Sequence, residues 1–339
     1  MNTQIVIKKY LILVVLVFVF AIAGYYWFGQ KHPSQKYTGP VEKVSIGVVK
    51  QFSPLILLAE KQGYFKEGGL DVAIKGYETG PAIVKDILEN RLDFGVVGEF
   101  VLVGNSFNEQ DIKILCSVSK SDSIKVFGRT DHGINHPSDL RGKKIGVTKK
   151  ASTDFFLNNF LILNEIPLAE ITIIDLPPAK LTEALLAGSI DAAIPFSNDN
   201  FKIENTLNER VTSWSAQNDR GTYTLLLANG TFVRNHKDAA ERLVRALTQS
   251  EEYFKTHTKD ALVHLAQTLN LNNEDVSMLY SQFRIEIALE QSLLLILEDE
   301  ARWIIENKLT DKTEVPNYLD FIYFDALQKV KPEAVMITH

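Results

Sequence analysis

At four points an apolar run gives way to a helical one through residues that can hold a small molecule: Ser53-Pro54, Thr79-Gly80-Pro81, Gly98-Glu99 and Ala151-Ser152-Thr153. A hydroxyl there can cap the helix or donate to a ligand, and the free N–H groups of a first helical turn favour an anion or an acceptor atom. Glu99 works the other way, because a carboxylate accepts from an amine or hydroxyl and repels an anion. Phe52, Phe155 and Phe196, with Phe100 and Tyr223, fall near the same edges and suit stacking on a flat ring. The candidate ligand-binding residues are therefore Phe52, Ser53, Thr79, Gly80, Gly98, Glu99, Ser152, Thr153, Phe155 and Phe196. Asp154 and Asp199 lie close to these loops and no Arg does, which argues for a neutral or cationic ligand such as an aminopyrimidine over a sulfonate or nitrate.

Catalytic chemistry finds little to stand on. The seven histidines form no metal-spaced pair, and the one cysteine, Cys116, sits inside an apolar run where it reads as a small buried hydrophobe. The chain has no Gly-rich phosphate loop, no nucleophile elbow and no metalloprotease helix. No catalytic residue, metal or cofactor is expected.

The elements that position the candidates alternate. VSIGVV (44–49), LDVAIKGY (70–77) and DFGVVG (93–98) read as strands separated by helical runs, and a parallel sheet built this way binds ligands beyond the carboxyl ends of its strands. After strands IKILCSVS (112–119) and SIKVFGRT (123–130), a second series of cycles begins at IGVT (145–148) and runs through ITIIDL (171–176) to DAAIPF (191–196). Helix stops 89–95 and 187–193 echo each other, each ending in an Asp that opens a buried strand. The last third, from about 231, shows apolar residues at helical spacing.

Composition places the chain among ordinary globular proteins. With 339 residues, 45% hydrophobic and 23% charged, it has room for about two domains. A net charge of -6 offers no basic field for nucleic acid. At the N-terminus, Lys8-Lys9 precede the uncharged run 10–28, close to the ~20 residues a membrane-crossing helix needs. Its cationic start predicts export of the rest of the chain. Ala21-Ile22-Ala23 matches a signal-peptidase site, while Tyr25, Tyr26 and Trp27 suit an uncleaved anchor.

In their order, SPLILLAEKQGYFKEGGLDVAIKGYETGPAIVKDILENRLDFGVVGE, INHPSDLRGKKIGVTKKASTDFFLNNFL, LPPAKLTEALLAGSIDAAIPF and the closing ARWIIENKL and EVPNYLDF resemble the type II periplasmic solute-binding proteins that serve ABC importers of aliphatic sulfonates, nitrate, taurine and thiamine-pyrimidine precursors. The resemblance runs from about residue 42 to the end. It implies an α/β fold of two lobes with the ligand cleft between them: residues 1–30 a signal peptide or anchor helix, 31–41 a linker, 42–122 the first lobe, 123–222 the second, and 223–339 the completion of the first with C-terminal helices. It implies capture of a small solute outside the inner membrane and delivery to a permease and ATPase. The same family includes thiamine-pyrimidine synthases, whose cysteine-rich iron motif this chain lacks. A membrane-tethered sensing domain acting on a partner protein is a third class. Relatives usually carry Gly where this chain has Ala151, whose Cβ would hold a ligand off the backbone.

Overall fold

The computed structural model describes residues 37–108, 111–196, 199–217 and 220–338. The apolar run 10–28 lies outside them, and among the described residues no helix is long and apolar enough to cross a membrane.

From Pro40 onward the chain forms one compact unit around two sheets. The first cycles are β1 (Glu42–Val48), α1 (Pro54–Gln62), α2 (Tyr64–Glu67), β2 (Leu70–Gly76), α3 (Gly80–Leu88), β3 (Phe94–Gly98) and α4 (Glu99–Ser106), after which comes β4 (Ile112–Ser121). The chain then crosses to β5 (Lys125–Arg129), β6 (Lys144–Val147), α5 (Ser152–Leu163), β7 (Thr172–Asp175), α6 (Pro178–Ala187), β8 (Ala192–Ala193), α7 (Asn200–Leu207) and β9 (Val211–Ser215). It returns as β10 (Thr222–Asn229) and continues through α8 (Gly230–Asn235), α9 (Lys237–Thr256), α10 (Thr258–Leu269), α11 (Asn273–Ser281), β11 (Phe283–Arg284), α12 (Gln291–Glu306) and α13 (Phe324–Val330).

The six-stranded sheet has the order β11-β4-β10-β3-β1-β2 and the five-stranded sheet β7-β6-β8-β5-β9. Strands β1, β2 and β3 are parallel, as the alternation predicts, but β10 is antiparallel to both β3 and β4. The reason is the route: a chain that comes back from the other sheet arrives at the carboxyl ends of β1 and β3, so its strand must run against them. Buried on both faces, β1 and β3 are apolar almost throughout, with Ile46, Val48 and Phe94 fully buried. Gly95 lets α3 lie close, since a Cβ there would come within 2.3 Å of Ile83.

The two Asp residues that open buried strands do the same work. Asp93 Oδ2 accepts from the backbone N–H of Ser45 (2.7 Å) in the middle of β1, and Asp191 Oδ2 accepts from that of Lys144 (2.8 Å) at the head of β6. Each carboxylate thus fixes the register of a neighbouring strand. Gln217, 2% exposed, joins the outgoing and returning crossovers: its Oε1 accepts from Ile124 N–H (2.7 Å) and its Nε2 donates to Ser121 C=O (2.9 Å) and Arg220 C=O (3.2 Å).

Helices divide between the faces of the six-stranded sheet. The chain moves from β1 outward to β2 and then back across β1 to β3, so right-handed crossovers put α1 and α3 on opposite faces. Helices α9 and α10 pack on α1, and α11 with β11 comes after them; α4 packs on α3, and α12 packs on α4.

Candidate functional site

The expected residues sit at the carboxyl ends of the strands, and the anticipated side-chain caps are not made. Ser53 precedes α1, but its Oγ donates to Val49 C=O (3.1 Å) and caps nothing. Thr79 precedes α3, exposed and with its hydroxyl off the helix, and Gly80 begins that helix. Gly98, also exposed, precedes α4. Helix α5 opens with half-buried Ser152 and fully buried Thr153, whose Oγ1 has no hydrogen-bond partner. A buried hydroxyl left unpaired is costly, and its presence marks a position that something else completes.

Across these ends the two sheet units touch. Phe155 of α5 meets Trp303 of α12 edge to face at 5.9 Å between centroids, and Phe100 of α4 meets the same indole at 6.0 Å. The Trp303 Nε1–H, on the buried side, finds no acceptor.

Glu99 departs from the sequence expectation most. It does not stand free in a cleft: it is 2% exposed, its Oε2 accepts the Tyr223 backbone N–H (2.8 Å), and its carboxyl meets that of fully buried Glu300 on α12. Two buried carboxyls can bond to each other only if one keeps its proton. Burial pushes both up, Glu99 to about 7 and Glu300 well above the carboxylate range, where the neighbouring Glu99 charge adds to the effect. No N–H or O–H donor reaches Glu99 Oε1 or either oxygen of Glu300.

Two other carboxylates expected near the cleft are committed elsewhere. Asp154 holds the turn before its helix, accepting from Lys149 Nζ (3.0 Å) and Lys150 N–H (3.0 Å), and Asp199 accepts from Thr182 Oγ1 (2.7 Å). The Tyr223 ring is not free to stack on a ligand either: its hydroxyl donates to Glu290 (2.6 Å), and Lys120 Nζ lies 5.1 Å from the ring centre. Phe196 is half-buried after β8. Cys116, fully buried in β4, has its thiol pushed up by burial and takes no part in a site.

A second region lies beside the paired crossovers between the two sheets, the place of the hinge in a fold of two lobes. There a cavity of about 480 Å³ has walls from the crossover (Lys120, Asp122, Ser123, Lys125), from α7 (Asn200, Phe201, Glu204) and from the end of α11 with β11 (Gln282, Phe283, Arg284). None of the ten sequence candidates lines it, although the Phe52 ring lies 6.2 Å from that of Phe283. Arg284 and two lysines stand here, away from the strand-end loops in which the sequence shows no Arg. No sequence pattern signalled them, because the three segments are far apart along the chain. Helix α11, at the wall of this cavity, packs on α10 and so belongs to the α1 side of the sheet, of which β11 is the edge strand. Thr79, Glu99 and Trp303 belong to the α3 side.

Residues 50–261 match the family described as NMT1/THI5 like. The chain belongs to that family. Among similar proteins, a taurine-binding periplasmic protein of Escherichia coli is 22% identical over 63% of this chain and 67% of its own length. A Bacillus subtilis protein named for binding aliphatic sulfonates is 29% identical over 55% of each chain. Solved structures share the fold: the periplasmic aliphatic sulphonate binding protein of Escherichia coli superposes with a TM-score of 0.72 at 17% identity, covering 85% of this chain and 98% of that one. The desulfurization enzyme DSZB superposes at 0.63 with 14% identity, over 86% and 99%. The shared fold thus carries both a binding protein and an enzyme, and the site must decide between them.

Proposed function

We propose that this NMT1/THI5-like protein is the extracytoplasmic solute-binding component of an ABC importer, closing on a small organic ligand at the strand ends and delivering it to a permease and ATPase. The observation that carries the reading is the fully buried, unpartnered Thr153 hydroxyl at the start of α5, beside the Phe155–Trp303 contact that joins the two sheet units. With Thr79, Gly80, Gly98 and Ser152, it offers uncapped first turns to one ligand head, while Phe155 and neighbouring Phe100 and Trp303 supply apolar surface. Ser53, Phe52 and Phe196 border this region, and Glu99 shapes its floor through Glu300.

Uncapped helix starts favour an anionic head. A short organosulfonate is the ligand class supported by that feature and by the names of the relatives. An aminopyrimidine is the second reading, favoured by the aromatic surfaces and by a Glu99–Glu300 pair able both to donate and to accept. Binding is favoured over catalysis because, among the described residues, no nucleophile and base meet at the strand ends and no group of His, Cys, Asp and Glu is arranged to hold a metal. The N-terminal run 10–28 is read as the signal or anchor that keeps the protein outside the inner membrane, which also leaves room for a tethered sensing role.

The test is calorimetry of the full chain with taurine, hexanesulfonate and 4-amino-5-hydroxymethyl-2-methylpyrimidine. Saturable binding of at least one, weakened about tenfold or more by Thr79→Ala with Ser152→Ala, is the expected result. Binding indifferent to both substitutions moves the solute away from the strand ends and ends the proposal.

A further inference from the structure

The cavity beside the hinge uses none of the side chains assigned above to solute capture, and its charges do not balance. Lys125 pairs with Glu204 (2.8 Å), Arg284 with Glu286 (3.1 Å) and Glu290, and Lys120 with Glu290 (3.6 Å). Asp122, exposed at the rim, has neither a hydrogen bond nor an ion pair of its carboxylate among the described residues. Three cations and two carboxylates line the cavity, but each cation is paired with a glutamate, Glu286 and Glu290 standing behind the wall, and the one charge left without a counter-ion is that of Asp122.

Two buried polar atoms are also left over on the wall. Asn200, 2% exposed, donates through Nδ2 to Ser123 C=O (2.6 Å) and Gln282 Oε1 (3.2 Å), bridging the five-stranded unit to the crossover and to α11. That leaves its Oδ1 without a donor and the Gln282 Nε2 without an acceptor. In native proteins such orphans are few, and each calls for a partner. The volume, about 480 Å³, is that of a small-molecule site.

We infer that the hinge cavity is a second binding site, for a small primary amine with an oxygen acceptor near its ammonium group, of amino-alcohol or amino-acid-amide type. The ammonium neutralises Asp122 and donates to Asn200 Oδ1, the ligand oxygen accepts from Gln282 Nε2, and Phe201 and Phe283 cover the carbon skeleton. An aromatic face beside an ammonium adds attraction of its own. A carboxylic acid lacking the amine has no place here, since every cation on the wall is already paired and the free Asp122 carboxylate repels a second one.

The experiment is calorimetric and thermal-shift titration of the full chain with L-alaninamide, ethanolamine and L-lactate. Alaninamide and ethanolamine are expected to bind and L-lactate not. Asp122→Asn, at an exposed position that leaves the fold intact, is expected to weaken alaninamide at least about tenfold, and Gln282→Leu to weaken it as well. Thr79→Ala with Ser152→Ala is expected to leave it unchanged, which separates this site from solute capture. The inference is overturned by lactate binding as well as alaninamide, by affinity unaltered in Asp122→Asn, by loss of alaninamide binding in the Thr79/Ser152 variant, or by no saturable binding up to about 10 mM, near the weak limit of specific small-ligand sites.

Discussion

The strand-end region and the hinge cavity are both made where the two sheet units meet, yet they are built on opposite terms. At the strand ends, aromatic rings lie close to buried groups left without a partner, namely Thr153 Oγ1, Trp303 Nε1, Glu99 Oε1 and the Glu300 carboxyl, and burial suppresses the charge of the two acids. At the hinge nearly all the charged side chains are paired with one of opposite sign, leaving open volume between them. One chain can therefore use burial at one junction and ion pairing at another. The first suits a contact that must form and break with closure, and the second suits a joint that stays wet while it bends.

Trp303→Ala should have the largest effect on this contrast. It removes the ring that Phe100 and Phe155 share and is expected to cost about 3–5 kcal/mol in denaturant unfolding, typical of a large aromatic in a core. Amine binding at the hinge should survive it; parallel loss of both would show that the two regions are one. Gln217→Ala comes next, at about 2 kcal/mol, since it leaves the Ile124 N–H and two carbonyls of the crossovers without their partner.

The carboxyl pair gives the contrast a pH signature. Below about pH 4.5 both the folded and the unfolded chain hold these protons; as pH rises, the unfolded chain releases them first, while Glu99 in the folded state holds on to about 7 and burial keeps Glu300 well above its ordinary value. Folding then takes up protons, so the pair's contribution falls steadily as pH rises from about 4.5 through 7, at about 1.4 kcal/mol per unit while a proton is held by the folded form alone. Melting curves should show Glu300→Gln gaining on the parent by more than about 1 kcal/mol at pH 8 and matching it near pH 5. Equal slopes for the two proteins would mean the pair is ionised in the native state. The smallest change is expected from Thr79→Ala, whose exposed hydroxyl bonds nothing in the helix: stability within about 0.5 kcal/mol of the parent, with the loss confined to solute binding.

Local spacing encodes the part of the molecule that is legible in the chain. The cycles from β1 to β3, the turn at Gly63 with its φ of 78° and the paired strand-opening Asp93 and Asp191 all arise from patterns within about ten residues. Long-range pairing leaves no such trace: Glu99 reads as a free acid beside a cleft because nothing near it in sequence announces Glu300, and Asn200 reaches Gln282 only through the fold. Two-residue β11 is too short to leave a period, so the segment that supplies Arg284 to the cavity reads as part of a helical tail. A hydroxyl before a helix need not cap it, and Ser53 turns instead to Val49 C=O under the constraint of the tight turn at 50–53.

Cys116 offers a practical consequence. A lone thiol sealed in the middle of β4, with its acidity suppressed, is inert to alkylating dyes in the native protein. Any cysteine engineered onto the surface is therefore the sole reactive handle, without first deleting the natural one. A fluorophore attached at Thr79→Cys would turn the molecule into an optical reporter, its emission changing as neighbouring surfaces approach or part during each binding event.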